Sequence, residues 1–161
     1  MNRPIFFVTL VASMLALAVS TPAPAKDDPA SLAQRHAAAI AHGDAAAALA
    51  LYTDDAVLRA GPLCTATACV GKAAIQKELE RRVADKVRAT IISKYMSGNI
   101  AAVRAEVRSD TIQKAGVDRI ITWTIYEAKG DKIVAATGEP QHTDPQTAKF
   151  LEWLKSQPPA R

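Results

Sequence analysis

The sequence predicts an α+β domain in which N-terminal helices pack on one face of a bent antiparallel sheet and a short C-terminal helix ends the fold. Three observations carry this expectation. Apolar residues recur at helical spacing as far as Val87, and from Ala89 onward the period changes to two. The links between the later segments are short, and strands joined by such links run antiparallel because a parallel pair needs a long crossover. Helices first and strands afterwards is the order of an α+β domain.

The chain has 161 residues and begins Met1-Asn2-Arg3, followed by an apolar run from Ile5 to Val19 and then Ala23-Pro24-Ala25. One basic residue, a short apolar stretch and a small-residue site form the pattern of an export signal cleaved after Ala25. No twin arginine precedes the run and no cysteine follows it to accept lipid, so no stable membrane anchor is expected after cleavage. The expected localisation is the periplasm of a Gram-negative cell, or otherwise the medium. Loss of residues 1–25 leaves 136 residues and, with Arg3 gone, a formal charge of +3 instead of +4. That is one domain's worth of chain, able to bury a single core. Its basic residues alternate with acids, as in Glu78, Glu80, Arg81, Arg82, Asp85 and Lys86. This pattern predicts a solvated helix face and argues against a nucleic-acid role.

Residues 26–30 read as a mobile polar lead, residues 31–156 as the domain and 157–161 as a polar tail. Ser31 is the expected N-cap of a first helix that presents Leu32, His36, Ala39 and Ile40 on one face. Gly43 stops it, and Asp44 caps a second, alanine-rich helix that runs to Leu51. Tyr52-Thr53-Asp54-Asp55 closes this helical part, and Ala56 to Arg59 is a short strand. Gly71 opens a third helix whose stripe of Ile75, Leu79, Val83 and Val87 belongs to the core. Four strands follow, with turns at Ser97-Gly98-Asn99, Ala115-Gly116-Val117-Asp118 and Lys129-Gly130-Asp131. Asp144-Pro145 then starts the last helix, which carries Phe150, Leu151 and Leu154 inward.

Cys64 and Cys69 are the only cysteines. In an oxidising compartment an isolated pair most simply forms one disulfide that pins a loop, contributing about 2 kcal/mol at best by the loop-entropy argument. Redox motifs favour two intervening residues, where this pair has four, and no histidine or second cysteine pair stands nearby to complete a zinc shell. Neither a metal nor a cofactor is expected.

The run His42-Gly43-Asp44 through Leu51-Tyr52-Thr53-Asp54-Asp55-Ala56-Val57-Leu58, then Gly71-Lys72-Ala73-Ala74-Ile75, resembles the opening of the nuclear transport factor 2-like superfamily. That group includes ketosteroid isomerase and the SnoaL-like polyketide cyclases. Trp123 to Glu127 and Gly130 to Val134 are similar to its closing strands. The resemblance, over residues 31–142, implies a cone in which three helices wrap a strongly curved sheet around an apolar pocket. Many members pair through the sheet as homodimers, so a homodimer is an expectation here too. Transfer residue by residue puts Ala60 where ketosteroid isomerase has its proton-shuttling aspartate, and His36 where it has its oxyanion-donating tyrosine. Alanine cannot hold a proton, which argues against isomerase chemistry by that route.

The candidates follow from this. His36 shares an apolar face with Leu32 and Ile40, and imidazole acts as acid, base or donor near neutral pH; the alternative is a histidine bonded within the core. Glu139 and His142 follow the last strand around Pro140, where the implied pocket is rimmed, and together could move a proton. Tyr52, Arg59 and Tyr95 join His36 as candidate ligand contacts. Arg104 reads as part of a solvated strand face, Asp54 and Asp55 as structural acids, and Trp123, Tyr126 and Trp153 as core or interface aromatics. The expected function is an exported domain that binds a small apolar or amphipathic molecule. The alternative is an isomerase, cyclase or hydrolase that uses His36 with Glu139 or His142.

Overall fold

The computed structural model describes residues 28–62, 64 and 67–157. The expected export signal and residues 158–161 of the expected tail lie outside the described residues. In chain order the elements are α1 (Pro29–Ala41), α2 (Ala45–Ala50), β1 (Tyr52–Arg59), β2 (Cys69–Val70), α3 (Lys72–Ala84) and β3 (Arg88–Ser97). They continue as β4 (Ile100–Arg108), α4 (Asp110–Lys114), β5 (Ile120–Lys129), β6 (Lys132–Pro140) and α5 (Pro145–Lys155). No helix among the described residues is long and apolar enough to cross a membrane.

Local chemistry fixes the helix ends. Helix α1 starts two residues ahead of Ser31 because Asp28 is the cap: its carboxylate accepts the Ser31 backbone N–H at 2.7 Å, and Pro29 takes the first helical position, where no N–H is needed. Residues 29 and 30, expected in a mobile lead, are therefore helical and buried. Asp44 caps α2 through the Ala47 N–H at 2.7 Å, and Asp144 caps α5 through that of Thr147 at 2.9 Å. Helix α4 had no counterpart in the sequence reading. It is a single short turn between β4 and β5, capped by the Ser109 hydroxyl on the Ile112 N–H at 3.2 Å.

The sheet has six strands in the order β2-β1-β6-β5-β4-β3. Every pairing is antiparallel except β1 with β6, which is parallel. The short-link argument holds for β3 to β6, whereas β1 reaches β6 only through α3, α4 and four intervening strands, a connection ample for a parallel pair. Register shifts at Tyr52/Val57, Ile91/Ser93 and Glu127/Ala128 interrupt the ladders, and such irregularities bend a sheet. Strand β1 begins at Tyr52 rather than Ala56; within it Asp54 is exposed and pairs with Lys72 at 2.8 Å.

Alternation along β4 separates the two faces of the sheet. Ala101, Val103 and Ala105 turn inward and are buried, while Ala102, Arg104 and Glu106 face out. The main core joins α1, α2 and α3 to the sheet through Leu32, Tyr52, Leu58, Ile75, Leu79 and Ile133, each fully or almost fully buried. A second cluster of Ile112, Val117, Ile120 and Phe150, with Trp153 against it, holds α4 and α5 to the far end of the sheet.

Glu78, expected on a solvated face, is fully buried. Its Oε1 accepts from Arg82 Nε at 2.8 Å and from Arg81 Nη2 at 2.9 Å, and its Oε2 accepts from Arg81 Nε at 3.0 Å. Burial acts to raise its pKa, but the two guanidinium groups outweigh it and hold the carboxyl below its ordinary value. Gly61 makes the burial possible: a side-chain carbon there would overlap the Glu78 carboxylate.

Candidate active site

A cavity of about 500 Å³ occupies the gap between the two core clusters. Helix α1 lines it with Ala33, His36, Ala37 and Ile40, small residues beside one imidazole. The inner face of the sheet supplies Ile91 from β3, Val103, Ala105 and Val107 from β4, and Ile120, Thr122, Thr124 and Tyr126 from β5. Phe150, Leu151 and Leu154 of α5 and the Ala60-Gly61-Pro62 segment complete the wall. On β6, Gly138 stands opposite Thr124. A Cβ there would lie 3.0 Å from Ala60 Cβ and 3.1 Å from Thr124 Oγ1, so glycine keeps this corner open.

Charge enters the wall where α3 ends, at Arg81, Arg82 and Asp85, and at the rim, at Glu139. Arg82 also donates from Nη2 to the Ala60 carbonyl at 2.7 Å, tying the loop to the helix. Asp85 lies 3.8 Å from Arg81 Nη1 and accepts from the Thr111 N–H and hydroxyl at 2.9 and 2.7 Å. Two cations thus meet two carboxylates, Glu78 and Asp85.

His36 is 4% exposed, and burial, with Arg82 adding to it, pushes its pKa down to about 3, so the ring is neutral near pH 7. Its Nε2 is buried without a hydrogen-bond partner among the described residues, and so is the Tyr52 hydroxyl. The two rings meet edge to face at 5.7 Å, with Tyr126 at 6.1 Å on the imidazole's other contact. Burial raises the pKa of both tyrosines, which stay protonated. Unpaired buried polar atoms are uncommon, and each costs about 1–3 kcal/mol. Two beside one cavity wall mark this as the place where the fold gives up stability.

Of the sequence candidates, His36 lines the cavity, and Tyr52 lies directly behind it at 1% exposure. Glu139 reaches the rim, but its strand position pairs with Trp123 on the outer face and its side chain is exposed. His142 lines a separate depression beside Ala148 and Lys155. The structure therefore does not bring Glu139 or His142 to His36. Arg59 is exposed at the end of β1 and outside the cavity lining, and Tyr95 stands on the outer face, 65% exposed and stacked on Trp123 at 5.9 Å. Cys64 and Cys69 form a disulfide, and no free cysteine is present among the described residues. No group of three or more His, Cys, Asp or Glu residues among the described residues is placed to hold a metal ion.

Sequence reasoning missed Arg81, Arg82 and Asp85 as wall residues. A signal existed, because residues 78, 81 and 82 share a helix face with Ile75 and Leu79. It also read Tyr126 as a core or interface aromatic and did not single out Thr122 and Thr124, although the three fall on alternate positions and so on one face.

The sequence matches the SnoaL-like domain over residues 33–136. The chain belongs to the SnoaL-like family. Its fold is the nuclear transport factor 2-like cone, and solved structures share it. An NTF2-like protein from Cytophaga hutchinsonii superposes with a TM-score of 0.58 at 12% identity, covering 74% of this chain and 96% of that one. A putative polyketide cyclase from Sinorhizobium meliloti gives 0.57 at 17% identity, over 67% of this chain and 93% of that one. The epoxide hydrolase/cyclase-like enzyme SalBIII, of pyran ring formation in salinomycin, gives 0.61 at 16% identity, over 72% and 92%. At these identities the likeness is one of fold. No curated protein matches the sequence.

Proposed function

We propose that this SnoaL-like chain is an exported domain that holds a small, largely apolar molecule in the cavity between α1, the sheet and α5. The observation that carries the reading is the cavity itself: about 500 Å³ within the range of small-molecule sites, mostly apolar walls and a few convergent polar groups around a neutral His36. Export is supported by the apolar leader ahead of Ala25 and by the Cys64–Cys69 disulfide, a bond that persists in oxidising compartments. Tyr95 and Ile125, cross-strand neighbours through Ala102 and both exposed, give a second copy an apolar surface to cover on the outer face. Native mass spectrometry of protein purified from its own host tests the binding reading: a retained small molecule is expected, and bare protein throughout would count against it.

A second reading, an isomerase, cyclase or hydrolase, is favoured by the unpartnered imidazole of His36 and by the cyclase-like names of two fold neighbours. It needs an acid within hydrogen-bond reach of that ring in the bound state. Glu139 and His142 are placed elsewhere, so the binding reading is preferred.

A further inference from the structure

The cavity's polar groups are not scattered. Thr122, Thr124 and Tyr126 occupy alternate positions of β5, so their side chains leave the same face of the strand toward the cavity, from positions about 7 Å apart. Their cross-strand neighbours bring no polar side chain to them. On β4 these are Ala105, Val103 and Ala101; on β6 they are Pro140, Gly138 and Ala136. Threonine is common in strands for its branched shape alone, but a shape requirement would be met by valine, which β4 uses at the facing position 103. The residues that β3 and β4 bring to the wall, Ala89, Ile91, Val103, Ala105 and Val107, are all hydrocarbon.

Inside the cavity the charges are balanced, and the exposed Glu139 carboxylate stands only at the rim, on the outer face of β6. Arg81 and Arg82 are met by Glu78 and Asp85, and His36 is neutral. An anionic or cationic ligand would enter a cavity with nothing left over to pair it, at a desolvation cost.

Resting on the reading of this cavity as a ligand site, we propose that its occupant is an uncharged, elongated molecule with hydrogen-bonding oxygens along one edge and bare hydrocarbon along the other. Thr122, Thr124 and Tyr126 read the oxygenated edge, and β3, β4 and α1 take the hydrocarbon side.

Naphthalene and two naphthalenediols test this by titration calorimetry on the mature chain. One diol carries both hydroxyls on the same long edge, at a spacing close to that of the ladder; the other carries them on opposite edges with the same composition. Naphthalene is expected to bind, and the same-edge diol to bind about fivefold or more tightly than the opposite-edge diol, the worth of one hydrogen bond. Thr122→Val and Thr124→Val keep the side-chain shape and remove the hydroxyl. Each is expected to abolish the preference between the diols while binding naphthalene at least as well as the parent. Equal affinity for the two diols, or a preference that survives in both variants, overturns the hydroxyl ladder and leaves the ligand cavity standing. If naphthalene and both diols all fail to bind the parent, the cavity reading falls and the ladder falls with it.

Discussion

His36 and Glu78 are both ionisable groups withdrawn from water, and the fold treats them in opposite ways. Glu78 keeps its charge because two arginines reach it; His36 loses its charge because nothing does. The consequence for His36 is a pH dependence. The unfolded chain protonates this ring below about pH 6.5, whereas the folded chain does so only near pH 3. The unfolded state therefore binds more protons in that window, and stability falls as pH drops through it. By about pH 4.5 the loss from this one group is on the order of 2 kcal/mol. Urea denaturation of the parent and His36→Gln at neutral pH and at about pH 4.5 should show a shallower decline in the variant. Carboxylates held low, such as Glu78 and Asp144, affect both proteins alike and cancel. For Glu78, Glu78→Ala is expected to cost about 3 kcal/mol, because it takes away the carboxylate that both guanidinium groups bond and leaves only Asp85 to balance them. Glu80→Ala, on the exposed side of the same helix, should stay within about 0.5 kcal/mol by the same measurement. A pattern of alternating charge could not separate these two glutamates. What separates them is Gly61, seventeen residues earlier, whose missing side chain lets the loop close over one and not the other.

At the scale of elements, legibility followed the range of the forces involved. The starts of α2 and α5 were readable because a cap is a contact between residues three apart, as in Asp44 with Ala47 and Asp144 with Thr147. The inward phase of β4 was readable because alternation is local. The parallel β1–β6 pair was not, since it joins Tyr52 to Ile133 and no turn connects them. Strand β1 was cut short for a related reason: Asp54 and Asp55 are poor strand formers, and they are tolerated at exposed positions where Lys72 can pair with the first. The disulfide was legible from spacing and expected compartment, though its position was not. It lies next to the Ala60-Gly61-Pro62 wall, with Cys64 fully buried and its backbone N–H bonded to the Gly61 carbonyl at 3.1 Å. Thiol counting under denaturing conditions without reductant should find no free sulfhydryl. The paired variant Cys64→Ser, Cys69→Ser should lose about 2 kcal/mol or less in urea denaturation, since so short a loop limits the entropy the bridge removes.

At the scale of the whole molecule, the described residues form two cores that do not merge, and the function is argued from the space between them. One core ties the three early helices to β1 and β6; the other ties α4 and α5 to the end of β5. A single continuous core would bury more apolar surface, so a sequence that places Ala33, Ala37 and Ala105 around the gap forgoes stability to keep it open. Ala105 lies at the middle of the inner face, between Ile91 and Thr122 in register. Filling the gap should therefore have effects of opposite sign on the empty and the occupied protein. Ala105→Phe places a ring in the cavity and is expected to raise the stability of the unliganded chain by about 1 kcal/mol, as cavity-filling changes commonly do. In the parent, naphthalene at about a hundredfold over its Kd should add about 2.7 kcal/mol, a rise in Tm on the order of 10 °C. In Ala105→Phe that rise should shrink by more than half, read by thermal denaturation with and without the probe. If the variant keeps the full rise, naphthalene is binding elsewhere, and the gap between the cores is a packing defect instead of a site.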